Sequence, residues 1–554
     1  MITAPALHPK IRGTVEATNG VILVRFPYSP ALTERIKTIP GRRWDKAHKA
    51  WLLPPTPDVI RRLRRLFPDF NYRLGDLEAR CAASITASHA ADADIEIPLP
   101  PGLELLPYQK AGVAYIEVKG GRAILGDEMG LGKSVQSLAW LNLRSELRPA
   151  LVVCPALLKL NWQREAEKWL LPAPRVQVIQ GGKDALNSSA DMVIANYDLL
   201  TKLLPVFQGM RFRAVIMDES HYIKSQDSGR TKAALTILEK ICHCLFLTGT
   251  PLLNRPEEGW TLFHAAAPEA FSRKWDYLMR YCNAHQDYWG RWDFSGASNL
   301  EELQEKLRAT CMIRRLKKDV LPELPPKRSV LVPLAVSKKL QRAGAVAWEK
   351  VLEAAGGDAA KVIGVLRQQN NRALSDEVSE LRLAAAREKL PQAVEFIKGI
   401  LDSGEKVVVF AHHRGITGAL HEAFRDAGAV VVRGGTPNVE RQVAVDGFQT
   451  DPACRVFIGS LMAAATGITL TAASNVVFVE MDWTPGVMEQ AGDRLHRIGQ
   501  ENAVTAWWLA ADMVIEQRMV AMLAEKMEVI HRALDTEAAG PMFDKVEGVV
   551  FAGK

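Results

Sequence analysis

The stretch RAILGDEMGLGKSVQSLAWLNL, Arg122–Leu143, decides how the chain is read. An apolar run at Ala123–Leu125 enters a glycine-rich loop, and a helix-forming run follows. Strand, loop and helix in that order make a phosphate cradle. Gly130 and Gly132 let backbone N–H groups turn onto phosphate oxygens, and the start of the helix adds positive potential. Lys133 would reach the β- and γ-phosphates of ATP, and the Ser134 hydroxyl would hold Mg2+. Asp127 stands where the general G-x-x-x-x-G-K-[ST] pattern has its first glycine.

Downstream, RAVIMDESH at Arg213–His221 is an apolar run ending in two carboxylates. Asp218 at the strand tip would reach Mg2+, and Glu219 would take a proton from an attacking water. Phosphoryl transfer also needs positive charge near the γ-phosphate. QAGDRLHRIGQ, Gln490–Gln500, supplies Arg494 and Arg497, three apart and so on one face if the stretch is helical. If a second lobe closes on the first, these become arginine fingers supplied in cis, and hydrolysis is coupled to lobe closure.

Between these motifs the chain alternates short apolar runs with helical stretches: RAILGDE, PALVVCP, ADMVIANY, RAVIMDE and CHCLFLTGT, then EKVVVFAHH, AVVVRGG, CRVFIGS, SNVVFVEMD and TAWWLAA. Runs that are apolar at every position suit strands covered on both faces of a parallel sheet. The rhythm lapses between about 268 and 390, where helical segments dominate. The expected architecture is α/β: two doubly wound parallel-sheet lobes with a helical insertion, preceded by a small α+β domain. Its expected bounds are 1–78 for the basic domain, 79–101 for an Ala/Ser/Asp/Pro-rich linker, and 102–330 for the first lobe, with a helical protrusion from about 268. The insertion follows at 331–389, the second lobe with a brace helix at 390–535, and a tail at 536–554. Helical residues after about Val514 are expected to brace the second lobe.

The formal net charge is +7, and residues 1–75 carry 14 Lys/Arg against 5 Asp/Glu, so the excess lies in that segment. A focused basic region is the footprint of a polyanion-binding module. Arg42, Arg43, Lys46 and Lys49 interleave with Trp44 and Trp51. Basic groups can track phosphates while aromatics stack on unpaired bases; alternatively, one or both tryptophans fill the core of a small sheet. Trp289 and Trp292 either pack the helical insertion or form part of a brace. Arg314, Arg315, Lys317 and Lys318 either contact phosphates or neutralise neighbouring carboxylates. No spaced His/Cys cluster suggests zinc, and Cys242 and Cys244 read as small core residues. No run approaches the roughly 20 apolar residues of a membrane span.

With these motifs in order, the sequence resembles the Swi/Snf-type superfamily 2 helicase-like ATPases over about Leu105–Met519. LLPYQKAGVAYI, LVVCPALLKLNWQREAEKW, VIANYDLL, LTGTPLLNRPEE, GSLMAAATGITLTAAS and QAGDRLHRIGQ carry the likeness. In that family DEMGLGK[ST] is the usual phosphate loop, which accommodates Asp127. The resemblance implies RecA-like lobes, Gln109 on the adenine, and Asn196 and Thr466 on DNA, beside the candidate DNA contacts Arg42, Arg43, Trp44 and Lys46. RYCNAHQDYWGRWDFSGASNLEELQEKL and MIRRLKKDVLPELPPK look like the annealing-helicase branch, and FPYSPALTERIKTIPGRRWDKAHKAWLLP is similar to its HARP domain.

The expectation is an ATP- and Mg2+-dependent double-stranded DNA translocase, a monomeric motor acting on forked or branched DNA, with single strands as a further ligand. The alternative is a DNA-translocating ATPase that displaces bound complexes such as RNA polymerase or nucleosomes. The compact length suggests a bacterial or phage protein, cytoplasmic and nucleoid-associated; a eukaryotic chain would be nuclear.

Overall fold

The computed structural model describes residues 13–18, 20–252, 255–286, 290–366, 368–461 and 468–535. The basic N-terminal segment forms a mixed five-stranded sheet from β1 (Thr14–Thr18), β2 (Val21–Arg25), β3 (Arg43–Asp45), β4 (Ala50–Leu53) and β5 (Asn71–Arg73), ordered β3-β4-β2-β1-β5. Val15, Ile22, Val24 and Leu53 meet Ile36 of the helix Pro30–Lys37 and Val59, Ile60 and Leu63 of the helix Pro57–Leu66. The second helix starts on a proline, which suits its first turn, and gathers its apolar residues on one face. Two of these strands were legible as apolar runs. TVEAT, RWD and NYR were not, being short and rich in polar residues.

The stretch expected as a linker is packed instead. A helix spans Leu77–Ala87, and the Ser84 hydroxyl donates to Arg308 O at 2.8 Å. Its small residues allow close approach to the helix Leu300–Thr310. Ile95, Ile97 and Leu99 then lie against the first-lobe core.

The first lobe is built on β6 (Arg122–Leu125), β7 (Ala150–Cys154), β8 (Val176–Val178), β9 (Met192–Asn196), β10 (Ala214–Asp218) and β11 (His243–Leu247). A two-stranded hairpin follows, β12 (His285–Gln286) and β13 (Trp292–Asp293); β14 (Met312–Ile313) returns to the sheet. The order β14-β6-β11-β10-β7-β9-β8 is parallel throughout, with apolar clusters on both faces. The second lobe contains β15 (Lys327–Leu334), β16 (Val407–Ala411), β17 (Val430–Val432), β18 (Val456–Ser460), β19 (Asn475–Phe478) and β20 (Val504–Ala511). They form a parallel sheet ordered β15-β20-β19-β16-β18-β17. These are two doubly wound lobes.

Two expected boundaries differ. The second sheet begins with β15, before the helices, because KRSVLVPL mixes charge and proline with its apolar residues and escapes a search for apolar runs. One 31-residue helix, Arg372–Asp402, runs through the expected end of the insertion at 389. The helix Val514–Leu534 does brace the second lobe, packing Met519, Val520 and Leu523 into its core. Its far end also places Ile530, Ala533 and Leu534 in the first-lobe core, so it ties the two together.

The long helix is pinned by Lys389, fully buried, whose Nζ donates to Leu509 O at 2.8 Å and Glu516 Oε2 at 2.9 Å. Removing one partner of a buried pair leaves an uncompensated charge, at a cost of about 3–5 kcal/mol. Lys389→Met should lower stability by that amount in guanidinium unfolding, and Lys389→Met/Glu516→Leu should recover most of it.

Candidate active site

β11 lies between β6 and β10, so the loops after these three strands sit side by side at the carboxyl end of the sheet. This brings GDEMGLGKS, DESH and LTGTP together from distant parts of the sequence, at the edge where open α/β sheets hold ligands. Asp127 is completely buried. Its Oδ1 accepts from Arg315 Nε at 3.0 Å and Oδ2 from Gln136 Nε2 at 3.1 Å. Burial opposes its charge, but the Arg315 guanidinium holds its carboxyl below the usual range. The residue that departs from the general phosphate-loop pattern is thus a structural anchor.

Gly130 and Gly132 both take left-handed conformations, at φ +88° and +75°, which favour glycine. A Cβ on Gly130 would lie 2.9 Å from Cγ of Arg497, a second-lobe residue packed directly on the loop. Lys133 opens the helix Lys133–Leu143, and its Nζ donates to Asp127 O at 2.8 Å and Glu128 O at 3.2 Å. Burial pushes its ammonium down to about 8, against the pull of Glu219, Asp127 and Asp218. Ser134 is half-buried in the same first turn.

Asp218 ends β10, accepting from Trp162 Nε1 at 2.8 Å through Oδ2 and from Glu219 N at 2.9 Å through Oδ1. Burial, then the adjacent Glu219 charge, push its carboxyl up to about 6. Glu219 adopts φ +50°, a strained backbone for a side chain of its size. Its Oε2 lies 3.3 Å from Nδ1 of the neighbouring His221, while the Ser220 hydroxyl is buried without a hydrogen-bond partner among the described residues. An orphaned hydroxyl and two acidic side chains beside two left-handed glycines and a lysine fit a triphosphate with Mg2+: Lys133 would hold phosphate oxygens, and Ser134 and Asp218 the metal.

Arg494 and Arg497 reach this cleft from the second lobe, but not on a helix. The helix Pro485–Gly492 ends first, and both arginines occupy the turns after it, where Gly492 and Gly499 interrupt helical order. Arg494 is buried, donating through Nε to Gln490 O at 3.1 Å. Burial and then Arg497 push its guanidinium down to about 9, while Glu219 opposes that fall. Arg497 Nη1 donates to Thr469 Oγ1 at 3.1 Å. Gln490 Nε2 donates across the lobes to Thr250 Oγ1 at 3.1 Å, a contact given no role by the motifs alone.

The tail MIRRLKKDV neutralises carboxylates. Arg315 takes Asp127, Lys317 lies 3.3 Å from Glu128 and 3.4 Å from Asp493, and Arg314 Nη2 donates to Asp535 at 3.2 Å. Arg314 Nη1 also donates to Gly126 O at 2.8 Å and Gly249 O at 3.0 Å, so one buried side chain bridges two of the nucleotide loops and the end of the brace helix. Among the described residues, Glu128, Asp493 and His496 have metal-ligand spacing. Lys317 and Lys327 already occupy the oxygens of Asp493, so these residues do not fit a cation. His413 and Glu480 form a structural pair, with Glu480 Oε2 accepting from the amides of His412 and His413.

Gln109 is buried and turned inward: its Oε1 accepts from Leu106 N at 3.0 Å, closing the start of the helix Pro107–Val118. Asn196 ends β9, 8% exposed. Thr466 lies outside the described residues. Arg42, Arg43, Trp44 and Lys46 are not brought to the nucleotide cleft but sit on and beside the edge strand β3. Arg43, Trp44 and Lys46 are exposed there, and Trp44 meets Trp51 edge-on at 5.3 Å. Much of the remaining basic charge is spent internally, through Arg61–Glu305, Arg62–Glu302 at 3.2 Å and Arg64–Glu78 at 2.8 Å. Of the two close cysteines, Cys244 is buried and Cys242 exposed.

Loops of this kind converging between two parallel-sheet lobes define a helicase-like ATPase core. The chain belongs to the SNF2-related family: the SNF2-related domain matches residues 108–370, and the helicase conserved C-terminal domain residues 388–499. The DNA annealing helicase and endonuclease ZRANB3 of Homo sapiens is 37% identical over 449 residues, 78% of this chain and 40% of that protein. The Caenorhabditis elegans homologue of SWI/SNF-related matrix-associated actin-dependent regulator of chromatin subfamily A-like protein 1 is 31% identical over 528 residues, 91% of this chain and 73% of that protein. Among solved structures, the Sulfolobus solfataricus SWI2/SNF2 ATPase core in complex with dsDNA covers 81% of this chain and 100% of its own, at 20% identity and a TM-score of 0.40. The chain spans about two fifths of the length of the annealing-helicase relatives it matches. These relatives are animal proteins and lend no support to the expected bacterial or phage origin. No described helix is long and apolar enough to cross a membrane.

The brace contact has a pH signature. Burial opposes protonation of His531, but Asp535, 3.0 Å away, and then Glu489 hold it above its ordinary value. Its contribution is therefore full below about pH 6.5 and fades as pH rises through the raised value. The loss of thermal stability in His531→Gln should be larger at about pH 6 than at about pH 9. Asp535→Asn, which leaves Arg314 without its counter-ion, should cost about 3 kcal/mol or more at neutral pH.

Proposed function

We propose that the chain is an ATP- and Mg2+-dependent motor that translocates on double-stranded DNA and acts at forks or branches. The observation that carries this reading is the split site: Arg497 packs on Gly130, and Arg494 faces Glu219 from the other lobe. Hydrolysis on such a site is linked to lobe closure. Bound Mg2+ supplies charge neutralisation on the phosphates. Lys133 holds phosphate oxygens, the Glu219 carboxylate, beside His221, accepts a proton from water, and Arg494 and Arg497 bring positive charge to the transferring group. The nucleic-acid half rests on the exposed basic edge at Arg43 and Lys46, on the likeness to the annealing-helicase branch, and on the names of the relatives.

The test is steady-state ATP hydrolysis by the full chain with blunt duplex, single-stranded and forked DNA. Forked DNA should stimulate most, and Glu219→Gln should lower kcat by about 10²–10⁴-fold. Arg494→Ala should lower it by about 10³-fold or more. Arg43→Ala/Lys46→Ala should narrow the difference between forked and blunt DNA. Hydrolysis that responds to no DNA would sink the reading.

A further inference from the structure

The helix Lys274–Tyr281 and the hairpin β12–β13 leave an aromatic cluster at the surface that the hydrolytic site does not use. Trp275 is 45% exposed, Met279 40% and Trp292 39%. Trp275 meets Trp292 edge-on at 5.1 Å and Phe294 at 5.8 Å, while Trp292 and Phe294 lie within 7° of parallel. Trp292 therefore packs, but against other surface aromatics, and both tryptophans stay partly exposed. Contiguous exposed apolar groups of this kind mark interaction surfaces.

What covers this one is indicated by its neighbour. A cleft of about 580 Å³ separates the N-terminal sheet from the segment leading into the same helix, lined among others by Arg42, Arg43, Pro54, Glu269, Ser272 and Arg273. Asp276, one residue after Trp275, accepts from Gly41 N at 2.6 Å, which fixes the two walls relative to one another. Arg42, Arg43 and Arg273 outnumber Glu269 and Asp276, the latter 3.8 Å from Arg273, and the positive excess complements a phosphodiester chain. Arginines that track a backbone beside exposed aromatics are the composition of an unpaired-strand platform, where bases stack on rings. An apolar protein segment would suit the rings but leave Arg42 and Arg43 without counter-charge.

We propose that this cleft and the Trp275–Trp292–Phe294 cluster together bind an unpaired DNA strand, arginines on phosphates and rings on bases. This rests on the reading of the chain as a motor on forked DNA and assigns the open arm of the fork to a surface shared by the N-terminal sheet and the first lobe.

Fluorescence anisotropy with a labelled oligothymidylate and the full chain tests it. Trp275→Ala/Trp292→Ala should weaken oligothymidylate binding by about tenfold or more, as expected for losing at least one stacked base. Blunt-duplex affinity should fall far less, and Trp275→Phe/Trp292→Phe should restore most of the loss. Arg273→Ala should reduce the salt dependence of oligothymidylate binding. Unfolding midpoints of the variants report whether the fold is intact. Unchanged oligothymidylate affinity in the folded alanine variant overturns the proposal and leaves the cluster to a protein partner; equal losses for oligothymidylate and duplex also overturn it. ATP hydrolysis indifferent to every DNA, with strand binding present, would instead remove the motor reading and leave the strand surface standing.

Discussion

Two adjacent arginines set the geometry on which the rest of the site depends. Arg315, 188 residues from Asp127 in sequence, satisfies the one fully buried carboxylate of the phosphate loop. Arg314 fastens Gly126 O, Gly249 O and Asp535. Replacing a buried ion pair with apolar groups is often neutral for stability, whereas removing one partner is costly. What the pairs provide here is placement. They hold the loop after β6 and the loop after β11 at a fixed spacing and dock the brace helix behind them.

That placement gathers Lys133 and Arg494 around the Asp218 and Glu219 carboxylates in one cradle. Lys133 and Arg494 are both pushed down by burial, and the Glu219 carboxylate opposes both shifts. A triphosphate entering between them would relieve the desolvation cost of these cations while meeting donors already in place, the condition under which electrostatic preorganisation is effective. The arginines arrive from the second lobe through turns held by Asp493, itself locked by Lys317 and Lys327. Binding energy at the phosphates would therefore act on the position of one lobe relative to the other.

The sequence displayed the lobes because their strands are apolar on both faces, as in AVIMD and VVVFA, and it displayed the cradle because glycine, lysine and paired carboxylates recur at strand ends. It concealed whatever depends on partners far away in the chain. RWD, NYR and KRSVLVPL become strands only through their neighbours in the sheet. The Ala/Ser-rich segment after 79 reads as a linker until the helix Leu300–Thr310 is beside it. The spacing of Arg494 and Arg497 suggested a helical face, but Gly492 ends the helix, and turns deliver the two side chains instead. The basic charge of the first 75 residues is visible in the sequence, but which of its groups dock on the first lobe and which stay exposed depends on carboxylates far away in the chain.

That division determines what the N-terminal sheet can do. Arg62 and Arg280 converge on Glu302, and Arg61 takes Glu305, while Arg532 of the brace helix takes Glu301 on the same helix. Burial opposes the charge of Glu302, but Arg280 and Arg62 hold its carboxyl at about 2. The exposed pairs on this helix contribute little individually. Together with the Gly41–Asp276 hydrogen bond, they fix the sheet to the first lobe through several separated points. A strand bound along β3 and its cleft, as proposed, would therefore be held at a set distance from the nucleotide loops, as a part of the first lobe rather than cargo on a tether.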